Sequence, residues 1–275
     1  MILTRGAAWR RAAERIDRLD ARLIVQHAAA CSHADLIARP EKVLTEEQGV
    51  WLESLVVRRE AGEPLAYLLG RAGFYGRDFA VTPAVLIPRP ETEGLVELAL
   101  KTLSGMDNPA ILDLGTGSGV IAVTLALESP GAHVVAVDLS PEALAVAADN
   151  AATLGALVDF RAGDWYAPLA GERFDLVVAN PPYIEFDDPH LDRDGLPFEP
   201  QGALTDGMAG GDGLAAVRAV VRGAPTHLRP GGWLWFEHGH DQGAACRNLL
   251  WAAGFKDVLT QTDLAGSERI SGGKI

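Results

Sequence analysis

The sequence is poor in cysteine. Its two cysteines, Cys31 and Cys246, lie far apart in a chain of 275 residues, and neither has a spacing typical of metal ligands. A disulfide framework and a zinc site both need clustered cysteines, so neither is expected, and no metal site is predicted. This usage fits a reducing compartment, and we expect a cytoplasmic protein.

Long apolar runs are also missing. No stretch has the run of apolar residues that crosses a bilayer. The amino-terminal residues lack the apolar core of a secretory signal, and their arginines alternate with acidic residues such as Glu14 and Asp17. We therefore expect no contact with a membrane.

Basic residues are scarce in the larger, carboxyl-terminal part of the chain. Up to Arg71 the sequence has 11 Lys+Arg against 10 Asp+Glu, whereas the remainder has 13 against 27. Because affinity for nucleic acid depends on neutralising phosphates, we expect no direct binding of nucleic acid. Hydrophobic residues make up 48% of the chain, which is ample for a sizeable core.

Residues 1–70 are predicted to form a small helical domain. Helices are expected over residues 10–17 and 19–30, and Ser32 is a candidate cap for a third. Thr45-Glu-Glu-Gln48 matches a capping box at the start of a fourth helix. This domain carries no chemical motif, so its predicted role is either packing or recognition of a macromolecular partner.

Residues 71–90 are predicted to be a linker containing a β-hairpin, and residues 91–275 a second domain. From residue 110 onward, short β-branched runs alternate with helical segments, which is typical of a doubly wound α/β sheet with mostly parallel strands. Strands are predicted at residues 111–114, 134–138, 158–160, 174–179 and 233–236, with edge strands at 258–261 and 269–271.

A glycine-rich loop joins a strand to a helix at Gly115-Thr-Gly-Ser-Gly119. Such glycines permit positive φ and allow a ligand to approach the backbone. Asp138 ends the next strand, where its carboxylate can accept hydrogen bonds from both hydroxyls of a ribose. The dinucleotide fingerprint needs a third glycine at Val120, so its spacing fails. Asp113 would repel a diphosphate and suits a ligand with amino and sulfonium groups.

An adenine site is predicted after the third strand. Gly163-Asp-Trp165 places a carboxyl group and an indole there, which can hydrogen-bond and stack on an adenine. Taken alone, Trp165 fits equally well as a core aromatic residue.

The strand at residues 174–179 stops at Asn180-Pro-Pro-Tyr183, because two prolines cannot continue a ladder. In open α/β sheets, ligands bind at this carboxyl edge. The Asn side chain and backbone carbonyls freed by the prolines offer acceptors for a planar NH2 group. A turn that merely ends the strand is the alternative.

These residues carry a resemblance to class I S-adenosylmethionine-dependent methyltransferases that modify amino groups. More narrowly, the chain resembles the HemK/PrmC family, the protein-(glutamine-N5) methyltransferases that act on peptide-chain release factors. Four further motifs match that family: Tyr67-Leu-Leu-Gly70, Phe74-Tyr-Gly76, Leu86-Ile-Pro-Arg-Pro-Glu-Thr92 and Asp263-Leu-Ala-Gly266. The resemblance spans almost the whole chain and departs at His238, where the family tends to carry Ile.

The resemblance implies a seven-stranded Rossmann-like methyltransferase sheet, with the helical domain joined by the hairpin. It implies S-adenosyl-L-methionine as methyl donor, S-adenosyl-L-homocysteine as product, and the glutamine of the Gly-Gly-Gln loop of class I release factors as substrate. A monomer is expected. The predicted cofactor site comprises Asp113, Gly115, Thr116, Gly117, Ser118, Gly119, Asp138, Asp164, Trp165 and Asn180. The predicted catalytic residues are Asn180, Pro181 and Tyr183, and the substrate pocket adds Phe74 and Pro182.

Three alternatives remain at the level of the sequence. An adenine-N6 methyltransferase acting on DNA or RNA would share the Asn180 pocket, because adenine also presents a planar amino group. It would need a basic track, which the acidic half does not provide. The others are a binding protein without turnover and a nicotinamide dehydrogenase.

Overall fold

The structure is a computed structural model that describes residues 3–275. Its helices are α1 Arg5–Ala12, α2 Arg18–Ala28, α3 His33–Ala38, α4 Glu46–Glu60, α5 Leu65–Leu69, α6 Thr92–Thr102, α7 Val120–Glu128, α8 Pro141–Leu154, α9 Gln201–Leu204, α10 Ala215–His227 and α11 Gly243–Ala252. Its strands are β1 Arg71–Phe74, β2 Arg77–Ala80, β3 Ala110–Leu114, β4 His133–Asp138, β5 Asp159–Ala162, β6 Phe174–Ala179, β7 Leu228–Glu237, β8 Lys256–Thr262 and β9 Glu268–Lys274.

The larger sheet has seven strands in the order β5-β4-β3-β6-β7-β9-β8. The first five of these run parallel, and β9 is antiparallel to both β7 and β8. The predicted doubly wound, mostly parallel sheet of seven strands is therefore confirmed. The carboxyl ends of β3, β4 and β6 meet at one edge, where a ligand crevice is expected.

The predicted edge position of residues 269–271 is wrong, because β9 lies between β7 and β8. Ser271 and its neighbour Gly272 are small residues, and both are buried. A Cβ atom at Gly272 would overlap the ring of Trp235 on β7. The absence of a side chain at Gly272 thus makes room for that indole in the middle of the sheet.

Successive residues of the central strands point to opposite faces of the sheet, as the period of two requires. Leu112 and Leu114 of β3 pack in one core with apolar residues of α10 and α11. Ile111 of the same strand packs in the other core, with residues of α6 and α7. Both faces of the sheet are therefore covered by helices. This explains why every residue of β3 is buried and why all of them except Asp113 are apolar.

The chain divides into two compact units, one comprising the residues up to Arg71 together with Asp192–Phe198, and the other the remainder. The helical unit has its own core, built around Ile24, Val25 and Leu55. Capping boxes begin α3 and α4, where the hydroxyls of Ser32 and Thr45 accept backbone N–H bonds. The predicted helix over residues 10–17 is wrong at its end: α1 stops at Ala12, and the carboxylate of Asp17 caps α2 instead.

The predicted hairpin is confirmed, with β1 and β2 forming a two-stranded sheet. Its turn residues Tyr75 and Gly76 have φ values of 49° and 71°, the left-handed conformation that tight hairpins favour. The side chain of Asn150 on α8 holds β2 by accepting from Ala80 N at 2.7 Å, and it also donates to Ser118 O at 2.9 Å. One buried amide thus connects the hairpin to the glycine loop.

Within residues 3–275, no helix combines the length and apolar character that crossing a membrane would require.

Candidate active site

A cavity of about 330 Å³ opens at the carboxyl ends of β3, β4 and β6. Four chain segments that the sequence predicted to be functional contribute to its wall: the glycine loop, the end of β4, the residues after β5, and the elbow after β6. Its lining includes Gly115, Thr116, Gly117, Ser118, Asp138, Asp164, Trp165, Asn180 and Pro182. The 180–183 elbow and the 115–119 loop therefore share one cavity.

The glycine loop presents backbone to this cavity. Gly115, Gly117 and Gly119 have φ values of 73°, 55° and 82°. A Cβ atom at Gly117 would meet no heavy atom within 4 Å, so this position borders open space. At Gly119 a Cβ would lie 3.0 Å from Cβ of Ala147, so this glycine allows close packing of α7 on α8 and is not part of the cavity wall.

Asp138 lies at the end of β4 beside that loop. Its Oδ2 accepts a hydrogen bond from Gly117 N at 2.8 Å, and its Oδ1 accepts one from Ser140 N at 2.9 Å. Because each carboxylate oxygen has two acceptor positions, both oxygens can accept a further donor from the cavity. The two backbone bonds fix the orientation of the carboxylate at the cavity.

Asp113 lies beneath the glycine loop and does not line the cavity. It is fully buried, and its Oδ2 accepts a hydrogen bond from Thr116 Oγ1 at 2.7 Å. Burial raises the pKa of Asp113 to about 7, opposed by the Thr116 bond and reinforced by the charge of Asp138. The sequence placed this carboxylate near a ligand, whereas the structure places it one layer below the ligand-facing backbone.

Trp165 is held against the loop by an unusual backbone conformation. Its φ of 47° lies in the left-handed region, which a bulky residue rarely adopts. A Cβ atom at Gly115 would lie 3.7 Å from Cζ3 of this indole, so the ring packs beside the loop at the cavity. Asp164 lines the cavity next to it. This arrangement offers a flat apolar surface and a carboxylate together, as predicted for an adenine site.

Asn180 follows β6 directly and lines the cavity. Its Nδ2 donates to Thr92 Oγ1 at 3.2 Å, and Thr92 Oγ1 donates to Glu237 Oε2 at 2.7 Å. The hydroxyl of Tyr183 donates to the other oxygen of the same carboxylate, Glu237 Oε1, at 3.1 Å. One buried carboxylate therefore holds the two ends of the elbow.

Neither Thr92 nor Glu237 is among the site residues that the sequence predicts. Glu237 ends β7 at the same sheet edge, and a polar residue that ends a buried strand is the signal that could have identified it. Burial raises the pKa of Glu237, whereas the hydrogen bonds from Thr92 and Tyr183 lower it. The pKa of the Tyr183 phenol is also raised, first by burial and then by the Glu237 charge.

Pro181, Tyr183 and Phe74 do not line the cavity. Pro181 and Tyr183 still lie in the elbow that forms its wall, but Phe74 lies elsewhere. Its ring is buried in the core under the hairpin, in edge-to-face contact with Phe79 at 6.1 Å between centroids. The predicted wall position of Phe74 is therefore incorrect, because the hairpin directs this side chain into the apolar core.

Residues 86–89 form another part of the wall, and a buried carboxylate holds them there. Glu199 accepts a hydrogen bond from Ile87 N at 3.0 Å and another from Arg89 Nη2 at 2.6 Å. Glu199 is 4% exposed, so its charge depends on these partners. Leu86, Pro88 and Arg89 line the cavity as a result.

His238 is buried and lies outside the cavity wall. Its Nδ1 donates to Gly239 O at 2.8 Å, so Nε2 accepts from Ser271 Oγ at 2.8 Å. Burial lowers the pKa of His238. The imidazole is thus a neutral structural link between β7 and β9.

Among the described residues, no group of His, Cys, Asp and Glu side chains is arranged to hold a metal ion.

Two family models match this chain. The PrmC N-terminal domain matches residues 3–70, and the Methyltransferase small domain matches residues 95–191.

Proteins of solved structure share the fold at low identity. A methyltransferase from Pyrococcus furiosus is 18% identical with a TM-score of 0.55, over 81% of this chain and 96% of that one. A 16S rRNA N2 methyltransferase from T. thermophilus, in complex with AdoMet and guanosine, is 20% identical with a TM-score of 0.55, over 74% of this chain and 49% of that one.

Similarity to curated proteins is much higher and extends over nearly the full length. The release factor glutamine methyltransferase of Bordetella pertussis is 53% identical over 94% of this chain and 95% of its own length. Those of Burkholderia pseudomallei and Vibrio cholerae are 51% and 43% identical, over 94% and 100% of this chain and 93% and 98% of their own lengths. With this identity and coverage, the chain belongs to the family of release factor glutamine methyltransferases.

Proposed function

We propose that this protein transfers a methyl group from S-adenosyl-L-methionine to the side-chain nitrogen N5 of the glutamine in the Gly-Gly-Gln loop of class I release factors. The observation that carries the proposal is the elbow after β6, where Asn180 faces the same cavity as the glycine loop. The names of relatives that are 43–53% identical support the same reaction and substrate.

The residues of the cavity fit S-adenosyl-L-methionine. The Asp138 carboxylate, oriented by Gly117 N and Ser140 N, suits the two ribose hydroxyls. Trp165 and Asp164 suit the adenine, by stacking and by accepting from its amino group. The open space at Gly117 leaves room for the ligand against the backbone, where a side chain would intrude. Asp113 below the loop favours a cationic ligand through its negative charge when it is ionised.

The substrate amide nitrogen is a weak nucleophile, because its lone pair is delocalised into the carbonyl group. Full loss of that resonance would cost roughly 18–20 kcal/mol, as the barrier to amide rotation indicates. The protein must therefore hold the two N–H groups in a way that tolerates partial pyramidalisation. Asn180 Oδ1, at the cavity wall, and the carbonyl oxygen of Pro181, in the elbow beside that wall, are the acceptors assigned to these two hydrogens.

When it is bound, S-adenosyl-L-methionine supplies an electrophilic methyl group on a sulfonium sulfur and leaves as S-adenosyl-L-homocysteine. As the nitrogen forms its new bond to carbon, it gains positive charge, and the two acceptor dipoles stabilise that charge. Alignment of the nitrogen with the methyl group contributes several kcal/mol more. The nitrogen then loses a proton, which has become acidic, so no strong base is needed beforehand.

The helical unit is assigned to recognition of the release factor. The acidic larger unit is assigned to electrostatic steering of the release factor toward the enzyme. A factor that docks against ribosomal RNA is expected to carry a basic surface near its glutamine loop. The larger part of this chain has 27 acidic residues against 13 basic ones, so attraction between the two surfaces speeds their encounter. The protein is proposed to act as a cytoplasmic monomer without nucleic acid.

The test is to incubate the purified protein with S-adenosyl-L-methionine labelled in the methyl group and, separately, a class I release factor, RNA or DNA. Label is expected on the release factor alone. Label on nucleic acid and none on the factor would instead favour an adenine-N6 methyltransferase and overturn the proposal.

A further inference from the structure

We propose that Glu237, acting through Thr92, fixes which end of the Asn180 carboxamide faces the cavity, and that this polarity selects a substrate with an amide NH2 group over one with a carboxylate. This inference deepens the proposed function and rests on it. Glu237 and Thr92 are positioning residues, since they act on the substrate through Asn180.

The three side chains come from separate elements that meet at one point. Asn180 follows β6, Thr92 is the first residue of α6, and Glu237 is the last residue of β7. Thr92, which also borders the cavity, and Glu237 are each 2% exposed, so their hydrogen bonds are largely shielded from solvent. The chain of bonds therefore runs through the interior from Glu237 to the cavity wall.

The direction of these bonds follows from the number of hydrogens available. A threonine hydroxyl has a single hydrogen, and here Thr92 donates it to Glu237 Oε2. The Thr92 oxygen is then able only to accept toward Asn180, so the Asn180 side chain has to present Nδ2 to it. Oδ1 of Asn180 consequently faces the other way, where it can accept from a substrate N–H.

Tyr183 keeps Glu237 an acceptor on its second oxygen as well. Its hydroxyl donates to Glu237 Oε1, so both oxygens of the carboxyl group receive donors. Burial raises the pKa of Glu237 and the charge of Glu91 adds to this, whereas the bonds from Thr92 and Tyr183 and the charge of Arg269 lower it. In its ionised form the carboxylate accepts on both oxygens and has no hydrogen to give to Thr92, which sets the polarity.

The variant Glu237→Gln tests this directly, because it keeps the shape and adds an NH2 group. That NH2 can donate to Thr92, which frees the threonine hydrogen to donate to Asn180 Oδ1. Asn180 would then turn its own NH2 toward the cavity. The polarity of the pocket is no longer fixed, although the other residues of the predicted cofactor site are untouched.

The readout is the ratio of affinities for a class I release factor and for the same factor with glutamate in place of the loop glutamine. Titration without cofactor measures both affinities for the wild type and for Glu237→Gln. We expect the preference for glutamine to fall by roughly tenfold or more in the variant. A merely structural role of Glu237 would weaken both affinities alike, and an unchanged ratio would overturn the inference.

A second comparison uses two threonines of the same helix. Thr102 ends α6 and, like Thr92, forms a side-chain hydrogen bond with a β7 residue, in its case by accepting from Trp235 Nε1 at 3.0 Å. Thr92→Val is expected to lower kcat/KM for the release factor by roughly 10- to 100-fold. Thr102→Val removes an equivalent hydroxyl that lies outside the cavity wall, and it should leave kcat/KM unchanged. Thr92→Ser, which restores the hydroxyl, should recover most of the loss.

Equal losses in Thr92→Val and Thr102→Val would show that Thr92 matters for packing alone and would overturn the inference. Thermal melting of each variant separates such a loss of folding from a loss of positioning. The proposed function fails separately: if the wild type adds no methyl group to the release factor, that reaction is wrong whatever the variants do.

Discussion

At the scale of single residues, Asn180 carries most of the proposed chemistry. Its Nδ2 is engaged with Thr92, so its Oδ1 is the acceptor left for the substrate. Removing the carboxamide in Asn180→Ala should lower kcat/KM for the release factor by about 100-fold or more, the usual effect of deleting one dipole aimed at developing charge. Steady-state kinetics measure this, with thermal melting as the control for folding. Undiminished methyl transfer would contradict the assignment.

Asp113 gives a prediction about stability and pH. The pKa of this carboxyl group, about 7 in the folded protein, lies above its ordinary value of 3.8. Its contribution to stability is therefore present at low pH and is lost as the pH rises through 7. Relative to the wild type, Asp113→Asn should gain roughly 4 kcal/mol in the free energy of unfolding between about pH 4 and about pH 8. Denaturant titrations at both pH values measure it, and a difference that does not change with pH would refute it.

The sequence places residues at the cavity correctly where they belong to contiguous motifs at strand ends. Asp138, Trp165 and Asn180 each lie at or just after the end of a strand, and all three line the cavity as the sequence indicated. Prediction from the sequence failed where a role depends on a distant partner. Glu237 is 145 positions from Thr92 and 54 from Tyr183, and no local pattern reveals that the three side chains meet.

At the scale of elements, the glycine loop joins the site to the packing of two helices. Gly119 and Gly155 both have positive φ, 82° and 76°, but only the former is crowded. A Cβ at Gly119 would lie 3.0 Å from Cβ of Ala147, whereas one at Gly155 would have no heavy atom within 4 Å. The backbone of Ala147 lies 3.2 Å away, so the contact cannot be relieved by a side-chain rotation.

We therefore expect Gly155→Ala to lower the free energy of unfolding by about 1 kcal/mol, the cost of the left-handed conformation alone. Gly119→Ala should cost roughly 1–3 kcal/mol more, because α7 and α8 must separate. Denaturant unfolding of both variants supplies the comparison. Equal losses would mean that close packing of these helices does not depend on Gly119.

The order of elements was predictable because the strands of a doubly wound sheet are apolar, short and separated by helices. β6 was predicted with its observed limits, residues 174–179. Strands near the carboxyl terminus were harder, since Ser271 and Gly272 of β9 reach the interior by being small rather than apolar. Their burial depends on Trp235 of the neighbouring strand, which a local pattern does not contain.

At the scale of the whole molecule, the main feature is the excess of acidic residues in the larger part of the chain. Steering by this charge predicts that the association rate with a class I release factor falls as salt rises. A decrease of roughly tenfold is expected between about 0.05 M and 0.5 M salt, since the Debye length shrinks severalfold over this range. Stopped-flow measurements give the rate. An association rate that is independent of salt would eliminate steering, while leaving the chemistry of the cavity unaffected.

The central claim is that one cavity holds a glutamine carboxamide with its nitrogen facing an activated methyl group. Mass spectrometry of the Gly-Gly-Gln peptide, taken from a release factor incubated with the enzyme and S-adenosyl-L-methionine, tests it most directly. One added methyl group on the glutamine side chain is predicted, and it should disappear when the enzyme is Asn180→Ala. An unmodified glutamine with the wild-type enzyme, or a methyl group on another residue, would contradict the account.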